Sequence, residues 1–131
     1  MGRVLVIEDD AEMRAMLNEI LTSAGHDVLL AADGKEGMKR YQAAPADVVI
    51  TDLFMPNQEG LETITKLRRY YPTVPIIAIS GNSGVARPML TVALQLGANA
   101  TLPKPFMPLE LIALVEKVMP SDRVAHGTTP G

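Results

Sequence analysis

At 131 residues, with 47% hydrophobic and 21% charged residues, the chain has the size and apolar content of one domain with a single sizeable core. Twelve Lys and Arg against fifteen Asp and Glu give a net charge of −3, which argues against direct nucleic-acid binding, and the absence of cysteine excludes disulfides and thiolate metal sites. We expect a cytoplasmic protein with no secretory signal and no membrane span, because acids interrupt the first apolar run.

Five short apolar segments have the composition of buried β-strands. The third of them lies in the stretch from Asp47 to Pro56, and one acid, Asp52, lies at its C-terminal end. The other four predicted strands are residues 3–7, 28–31, 74–79 and 100–102.

Helical spacing of apolar residues follows each strand. In the first helix we expect Asp10 as N-cap, Gly25 as the stop signal, and Met13 and Met16 in the core together with Leu17, Ile20 and Leu21. The second helix is predicted to run from Gly34 to Ala44, with Met38 and Tyr41 facing inward.

The third helix is predicted to follow a polar turn at residues 57–60 and to end near Tyr71, with Tyr70 and Tyr71 packed at its end. In the fourth, Leu90, Ala93 and Leu94 share a face and Gly97 is the stop. The apolar face of the fifth carries Leu111, Leu114, Val115 and Val118.

Strands that alternate with helices predict an α/β fold, a doubly wound three-layer sandwich with a five-stranded parallel sheet and five helices. Residues 1–120 form this domain. Residues 121–131 are small, polar and rich in Gly and Pro, which indicates a flexible tail or the start of a linker.

Polar side chains occur at the C-terminal ends of four of these strands. Glu8 and Asp9 follow the first strand, Asp52 the third, Ser80 the fourth and Lys104 the fifth. Because the carboxyl ends of parallel strands meet at one edge of a sheet, we expect these groups to converge. Each residue alone has a simpler explanation, as a helix cap, a turn residue or a surface charge; only their joint occurrence is specific.

Three carboxylates about 4 Å apart repel by roughly 4 kcal/mol per pair at an effective dielectric constant of about 20. A cation would relieve this repulsion. Oxygen ligands without His or Cys select Mg²⁺, with Mn²⁺ as the alternative. Beside such an ion, the carboxylate of Asp52 becomes a nucleophile toward phosphorus, and Ser80 and Lys104 can contact the other phosphoryl oxygens.

The sequence resembles the bacterial response-regulator receiver domain, the CheY-like family, from about Arg3 to Met119. The motifs that carry the resemblance are Val6-Ile7-Glu8-Asp9-Asp10, Thr51-Asp52-Leu53-Phe54-Met55-Pro56 with Gly60, Ile79-Ser80-Gly81, Gly97-Ala98 and Leu102-Pro103-Lys104-Pro105-Phe106. The resemblance implies the flavodoxin-like strand order 2-1-3-4-5.

The resemblance also implies roles for individual residues. Asp52 would be the phosphoacceptor, and Glu8, Asp9, Asp52 and the backbone carbonyl of Phe54 would hold Mg²⁺. Ser80 and Lys104 would contact the phosphate. The peptide bond before Pro105 would be cis.

Three positions either depart from the family pattern or are expected to tune hydrolysis of the phosphoryl group. Thr101 stands where family members usually carry the Tyr or Phe of the conformational switch. Phe54 and Asn82 occupy positions that border the path of hydrolytic water, and the bulk of Phe54 predicts slow loss of the phosphoryl group.

The expected function is a two-component signalling switch rather than an ordinary enzyme. The partners would be a sensor histidine kinase or a histidine phosphotransfer protein, and a downstream effector protein or domain that reads the face of the fourth helix, fifth strand and fifth helix. No nucleic acid or membrane would be bound directly, and a homodimer is one arrangement open to such a domain.

Other classes fit less well. A phosphatase or phosphotransferase of this kind usually has a second acid at the position of Phe54. Flavin binding and P-loop nucleotide binding are disfavoured because the sequence contains neither a flavin phosphate loop nor a P-loop. A receiver-like interaction module with weak or no switching remains the alternative because of Thr101. We interpret His26 and His126 as solvated side chains.

Overall fold

The computed structural model describes residues 2–53, 59–81 and 86–120. Five strands alternate with five helices along the chain. The strands are β1 (Arg3–Ile7), β2 (Asp27–Ala31), β3 (Val48–Asp52), β4 (Ile76–Ser80) and β5 (Ala100–Pro103). The helices are α1 (Ala11–Ser23), α2 (Gly34–Ala43), α3 (Glu59–Tyr70), α4 (Ala86–Leu96) and α5 (Pro108–Val118).

The strands form one parallel sheet in the order β2-β1-β3-β4-β5, which confirms the predicted fold. In this order the chain reverses direction across the sheet between β1 and β3. The carboxyl ends of those two strands therefore flank the switch point, where open α/β sheets bind their ligands.

Both faces of the sheet are covered, which explains why the strands are almost continuously apolar. In β1, Leu5 and Ile7 pack into the core beneath α2, α3 and α4, whereas Val4 and Val6 pack beneath α1 and α5. All four side chains are fully buried. Burial of such aliphatic side chains contributes about 1.5–3 kcal/mol each, so the two cores hold the strand ends rigidly.

Local signals set the helix ends as predicted. The side chain of Asp10 accepts hydrogen bonds from the backbone N–H groups of Glu12, at 2.9 Å, and Met13, at 3.4 Å, and so caps α1. Gly25 and Gly97 follow α1 and α4 with φ of 94° and 125°, a conformation that favours glycine.

One predicted boundary was wrong in a way that matters for the site. Glu59 and Gly60, expected in a turn, are the first two residues of α3. Gly60 lies so close to β3 that a Cβ there would overlap the carbonyl oxygen of Asp52 and come within 2.6 Å of the Cα of Leu53. The glycine therefore marks close helix–strand packing instead of a turn.

Three side chains expected to be packed are exposed. Met16 and Leu94 are 41% and 48% exposed, because each lies roughly 100° around its helix from a fully buried neighbour, Leu17 or Ala93. Tyr70 is also exposed, whereas Tyr71 packs against Tyr41 with 4.2 Å between ring centroids.

The expectation that His26 is solvated was also wrong. Its side chain is buried, and its Nδ1 accepts a hydrogen bond from the backbone N–H of Gly2 at 3.4 Å. Its Nε2 has no hydrogen-bond partner within the described ranges. Burial lowers the pKa of His26, with the N-terminal amine as a smaller contribution. His126 and the rest of residues 121–131 lie outside the described residues.

Candidate functional site

Five of the predicted site residues lie at the carboxyl edge of the sheet. Asp52 is the last residue of β3, and Ser80 is the last residue of β4 rather than the first of a loop. Glu8 and Asp9 follow β1 directly, and Lys104 follows β5. The parallel register sets these positions, since Asp52 pairs with Ile79 and Ser80 with Pro103.

Three carboxylates form a cluster at this edge. Glu8, Asp9 and Asp52 each offer one oxygen, and these oxygens all lie within 4.8 Å of one another. Glu8 and Asp52 are almost fully buried, whereas Asp9 is exposed. Hard oxygen donors at such separations, open to solvent on one side, match the ligands that Mg²⁺ prefers.

The electrostatics of the cluster also fit a cation. Burial raises the pKa of Glu8 to about 8, and a hydrogen bond and charge repulsion from Asp52 add to this effect. Within the described part of the chain, Glu8 Oε1 is buried and accepts no hydrogen bond. A divalent ion would supply the positive charge that this oxygen and its neighbours need.

Lys104 lies directly beside the cluster. Its Nζ donates a hydrogen bond to Asp52 Oδ2 at 2.8 Å and lies 3.5 Å from Glu8 Oε1. Burial alone would lower the pKa of Lys104, but the hydrogen bond to Asp52 and the negative charges of Asp52 and Glu8 raise it. The backbone N–H of Lys104 donates to the carbonyl of Ser80 at 2.7 Å, and the bond between Lys104 and Pro105 is cis.

Ser80 and Thr101 occupy the neighbouring strands. Ser80 is completely buried, and its Oγ has no hydrogen-bond partner among the residues that the structure describes. Thr101 is half-buried on β5, in register with Ala78 of the core beneath α3 and α4. Phe54 and Asn82, which were predicted to tune hydrolysis, lie outside the described residues, as does the carbonyl of Phe54 expected to bind the metal.

Two residues near the site were not assigned a role from the sequence. Gly60 allows α3 to approach the end of β3, as described above. Arg14, in the first turn of α1, donates a hydrogen bond from its guanidinium group to the backbone carbonyl of Glu8 at 2.8 Å. A basic residue one turn into the helix that follows an acidic motif is the only signal the sequence carries for this contact.

A cavity of about 710 Å³ lies between α2 and α3 and is separate from the acidic cluster. Its lining includes Lys35, Lys39, Lys66, Tyr70 and Tyr71, and none of the site residues. No helix in the described ranges is both long and apolar enough to cross a membrane.

The fold and the site together define a class: a doubly wound parallel α/β domain with clustered acids and a lysine at the carboxyl edge of its sheet. The sequence matches the response regulator receiver domain over residues 4–116. The chain belongs to this family, whose members are signalling domains of two-component systems rather than ordinary enzymes.

Named relatives agree with this membership. The chain is 34% identical over 117 residues to the chemotaxis protein CheY of Thermotoga maritima, covering 88% of this chain and 96% of CheY. It is 32% identical over 119 residues to the transcriptional regulatory protein CpxR of Klebsiella pneumoniae, covering 91% of this chain but only 50% of CpxR. The chain thus spans half the length of some relatives.

Solved structures give the same result for the fold. The chemotaxis response regulator CheY4 of Vibrio cholerae superimposes with a TM-score of 0.80 at 31% identity, covering 91% of this chain and 99% of CheY4.

Proposed function

We propose that the chain is a phosphorylation-dependent switch. In this proposal Asp52 accepts a phosphoryl group from the phosphohistidine of a sensor histidine kinase or a histidine phosphotransfer protein, in the cytoplasm. The observation that carries the proposal is the position of the Asp52 carboxylate, which lies within 4.8 Å of the oxygens of Glu8 and Asp9 and 2.8 Å from Lys104 Nζ.

Glu8, Asp9 and Asp52 are the described residues that would hold Mg²⁺, with the carbonyl of Phe54 as the further ligand implied by the family. When bound, Mg²⁺ neutralises charge between Asp52 and the incoming phosphoryl group. Asp52 ends β3, and Glu8 and Asp9 follow β1 directly, so the sheet sets the positions of the acids and little reorganisation is needed when the donor arrives.

The transfer requires one bond to form and one to break. A carboxylate oxygen of Asp52 attacks phosphorus as the bond from phosphorus to the donor's histidine nitrogen breaks. The electron pair of that bond returns to the imidazole. Lys104 then exchanges its hydrogen bond to the carboxylate of Asp52 for one to a phosphoryl oxygen. The hydroxyl of Ser80, which has no partner among the described residues, donates to another phosphoryl oxygen.

Switching would follow from the new contacts of the phosphoryl group. Ser80 ends β4 and Lys104 follows β5, so both can transmit a shift to the face formed by α4, β5 and α5. A change from 1:99 to 99:1 between two states requires roughly 5.5 kcal/mol of differential interaction. A group of about −1.5 to −2 charge that gains several charge-assisted hydrogen bonds can supply this energy.

One observation favours a second function. Thr101 is smaller than the aromatic residue that the family usually carries and cannot swing a ring inward behind Ser80. A receiver-like interaction module that binds its partner with weak or no switching is therefore the alternative. A partner-binding affinity that is the same with and without phosphorylation would favour it.

The output partner is a downstream effector protein or domain. CheY is covered almost completely by this chain, whereas CpxR continues for about as many residues again, so both a stand-alone regulator and a domain followed by an effector are compatible with the comparisons. Homodimerisation through the α4-β5-α5 face would be one means of output. Residues 1–120 would form the receiver, and residues 121–131 its tail or linker.

The proposal is tested by incubation with acetyl phosphate and Mg²⁺, followed by intact mass measurement. The parent should gain the mass of one phosphoryl group, and neither Asp52→Asn nor the parent in EDTA should do so. Asp27→Asn is the matched control, because Asp27 is an exposed acid that pairs with Arg3 at the other end of the sheet. Equal labelling of Asp52→Asn and the parent would overturn the proposal.

A further inference from the structure

The acidic segment between β1 and α1 is braced by a side chain outside the set of predicted ligands. Arg14 Nη1 donates a hydrogen bond to the backbone carbonyl of Glu8 at 2.8 Å and lies 3.5 Å from that of Asp9. In the described part of the chain, the hydrogen bonds of this guanidinium group go to backbone carbonyls and not to a carboxylate.

Other hydrogen bonds fix the rest of the segment. The backbone N–H of Glu8 donates to the carbonyl of Ala31 at 3.0 Å, which continues the pairing of β1 with β2. The backbone N–H of Asp10 donates to Glu8 Oε2 at 3.1 Å and so orients the carboxylate itself. The side chain of Asp10 caps α1. The hydrogen bonds of Arg14 connect the backbone carbonyls of Glu8 and Asp9 to α1.

We propose that Arg14 is a positioning residue for the metal site. By bonding the carbonyls of Glu8 and Asp9, it holds the backbone so that both carboxylates point toward Asp52. The inference rests on the proposed function, because it concerns the same site.

Charge and shape both suit Arg14 to this task. Its positive charge lies next to a segment with three successive acids and offsets part of their mutual repulsion when no cation is bound. Nη1 contacts both carbonyls, and the planar guanidinium group fixes the direction of its N–H bonds, whereas a lysine ammonium is a compact charge on a flexible stem. A second layer of hydrogen bonds of this kind typically contributes 10–100-fold to metal affinity.

The test uses Arg14→Gln and Arg14→Lys, with Arg69→Gln as the matched control. Arg69 is an exposed arginine near the end of α3, so its replacement makes the same change in net charge away from the site. The dissociation constant for Mg²⁺ is measured by titration calorimetry. We expect Arg14→Gln to weaken Mg²⁺ binding roughly 10–100-fold, Arg14→Lys to be intermediate, and Arg69→Gln to match the parent.

A kinetic measurement separates positioning from chemistry. The Mg²⁺ concentration for half-maximal phosphorylation by acetyl phosphate should rise by the same factor in Arg14→Gln, while the rate at saturating Mg²⁺ stays near that of the parent. In the metal-free protein, amide hydrogen exchange at Asp10 should accelerate in Arg14→Gln, because the bond from Asp10 N–H to Glu8 Oε2 depends on the braced backbone.

A purely structural role would give a different pattern. If Arg14→Gln lowers the melting temperature but keeps the parental Mg²⁺ affinity and parental exchange at Asp10, the inference is overturned. If Arg14→Gln does not fold, the same comparison is made with Arg14→Lys. If the parent itself neither binds Mg²⁺ nor is phosphorylated, the proposed function fails, and exchange at Asp10 still reports whether Arg14 braces the segment.

Discussion

Replacement of Lys104 by Met removes the positive charge that the protein itself supplies to the acidic cluster and so measures its contribution to stability. The Nζ atom lies 2.8 Å from Asp52 Oδ2 and 3.5 Å from Glu8 Oε1. At an effective dielectric constant of about 20 the distance to Asp52 Oδ2 corresponds to a gross attraction of about 6 kcal/mol. Glu8, whose pKa is raised to about 8, is mostly protonated at neutral pH and adds little charge.

The net contribution is much smaller than this value. The Lys104 side chain is 23% exposed, so water screens it, and its desolvation and ordering oppose the attraction. A hydrogen bond to a charged group contributes about 1.5–3 kcal/mol net. We therefore expect Lys104→Met to lower the free energy of unfolding by about 2 kcal/mol in EDTA.

Magnesium should reduce this loss, because a bound cation supplies positive charge to the same oxygens. The assay is urea unfolding followed by far-ultraviolet circular dichroism, in EDTA and in saturating Mg²⁺. Lys66→Met is the matched control, since Lys66 is exposed on α3. If Lys104→Met and Lys66→Met are equally stable in EDTA, the described ion pair contributes nothing and the electrostatic reasoning fails.

The remaining predictions concern three further positions. Gly60→Ala should destabilise the fold by about 1–3 kcal/mol, because its Cβ would overlap the Asp52 carbonyl; an unchanged melting temperature would show that α3 can move away without cost. Burial lowers the pKa of His26 below its value in the unfolded chain, so the stability from its neutral form is present above the unfolded-state pKa and is lost as pH falls through the lower folded-state pKa. Urea unfolding at several acidic pH values should therefore show a smaller pH dependence in His26→Gln, and equal slopes would contradict this. Phe54→Asn should shorten the lifetime of the phosphoryl group, measured by loss of phosphoprotein mass after removal of the donor, and an unchanged lifetime would exclude screening by Phe54.

The convergence of the site could be predicted because it follows from short-range signals, whereas the strand order was implied by the family resemblance. Each strand is an apolar run, four of the five carry polar residues at their C-terminal ends, and parallel strands bring such ends to one edge, as Asp52 and Ser80 illustrate. Asp10 and Gly97 set helix ends through their own side chain or backbone conformation.

The errors concern features that depend on tertiary packing. Gly60 has the sequence signature of a turn, but its lack of a side chain serves a close approach to β3. His26 follows a turn glycine, yet its side chain is buried and accepts a hydrogen bond from the backbone of Gly2. Arg14 could not be assigned because its partners are backbone carbonyls, which every residue carries, and a basic residue one turn into a helix is too common to indicate this contact.

The most direct test of the central claim is to locate the phosphoryl group on the chain. The protein is incubated with acetyl phosphate and Mg²⁺, reduced with borohydride to convert any acyl phosphate to a stable alcohol, and analysed by peptide mass spectrometry. The expected result is modification at Asp52 alone, dependent on Mg²⁺. Modification at another residue, or none at Asp52 under conditions in which Mg²⁺ is bound, would contradict the assignment of Asp52 as the phosphoacceptor.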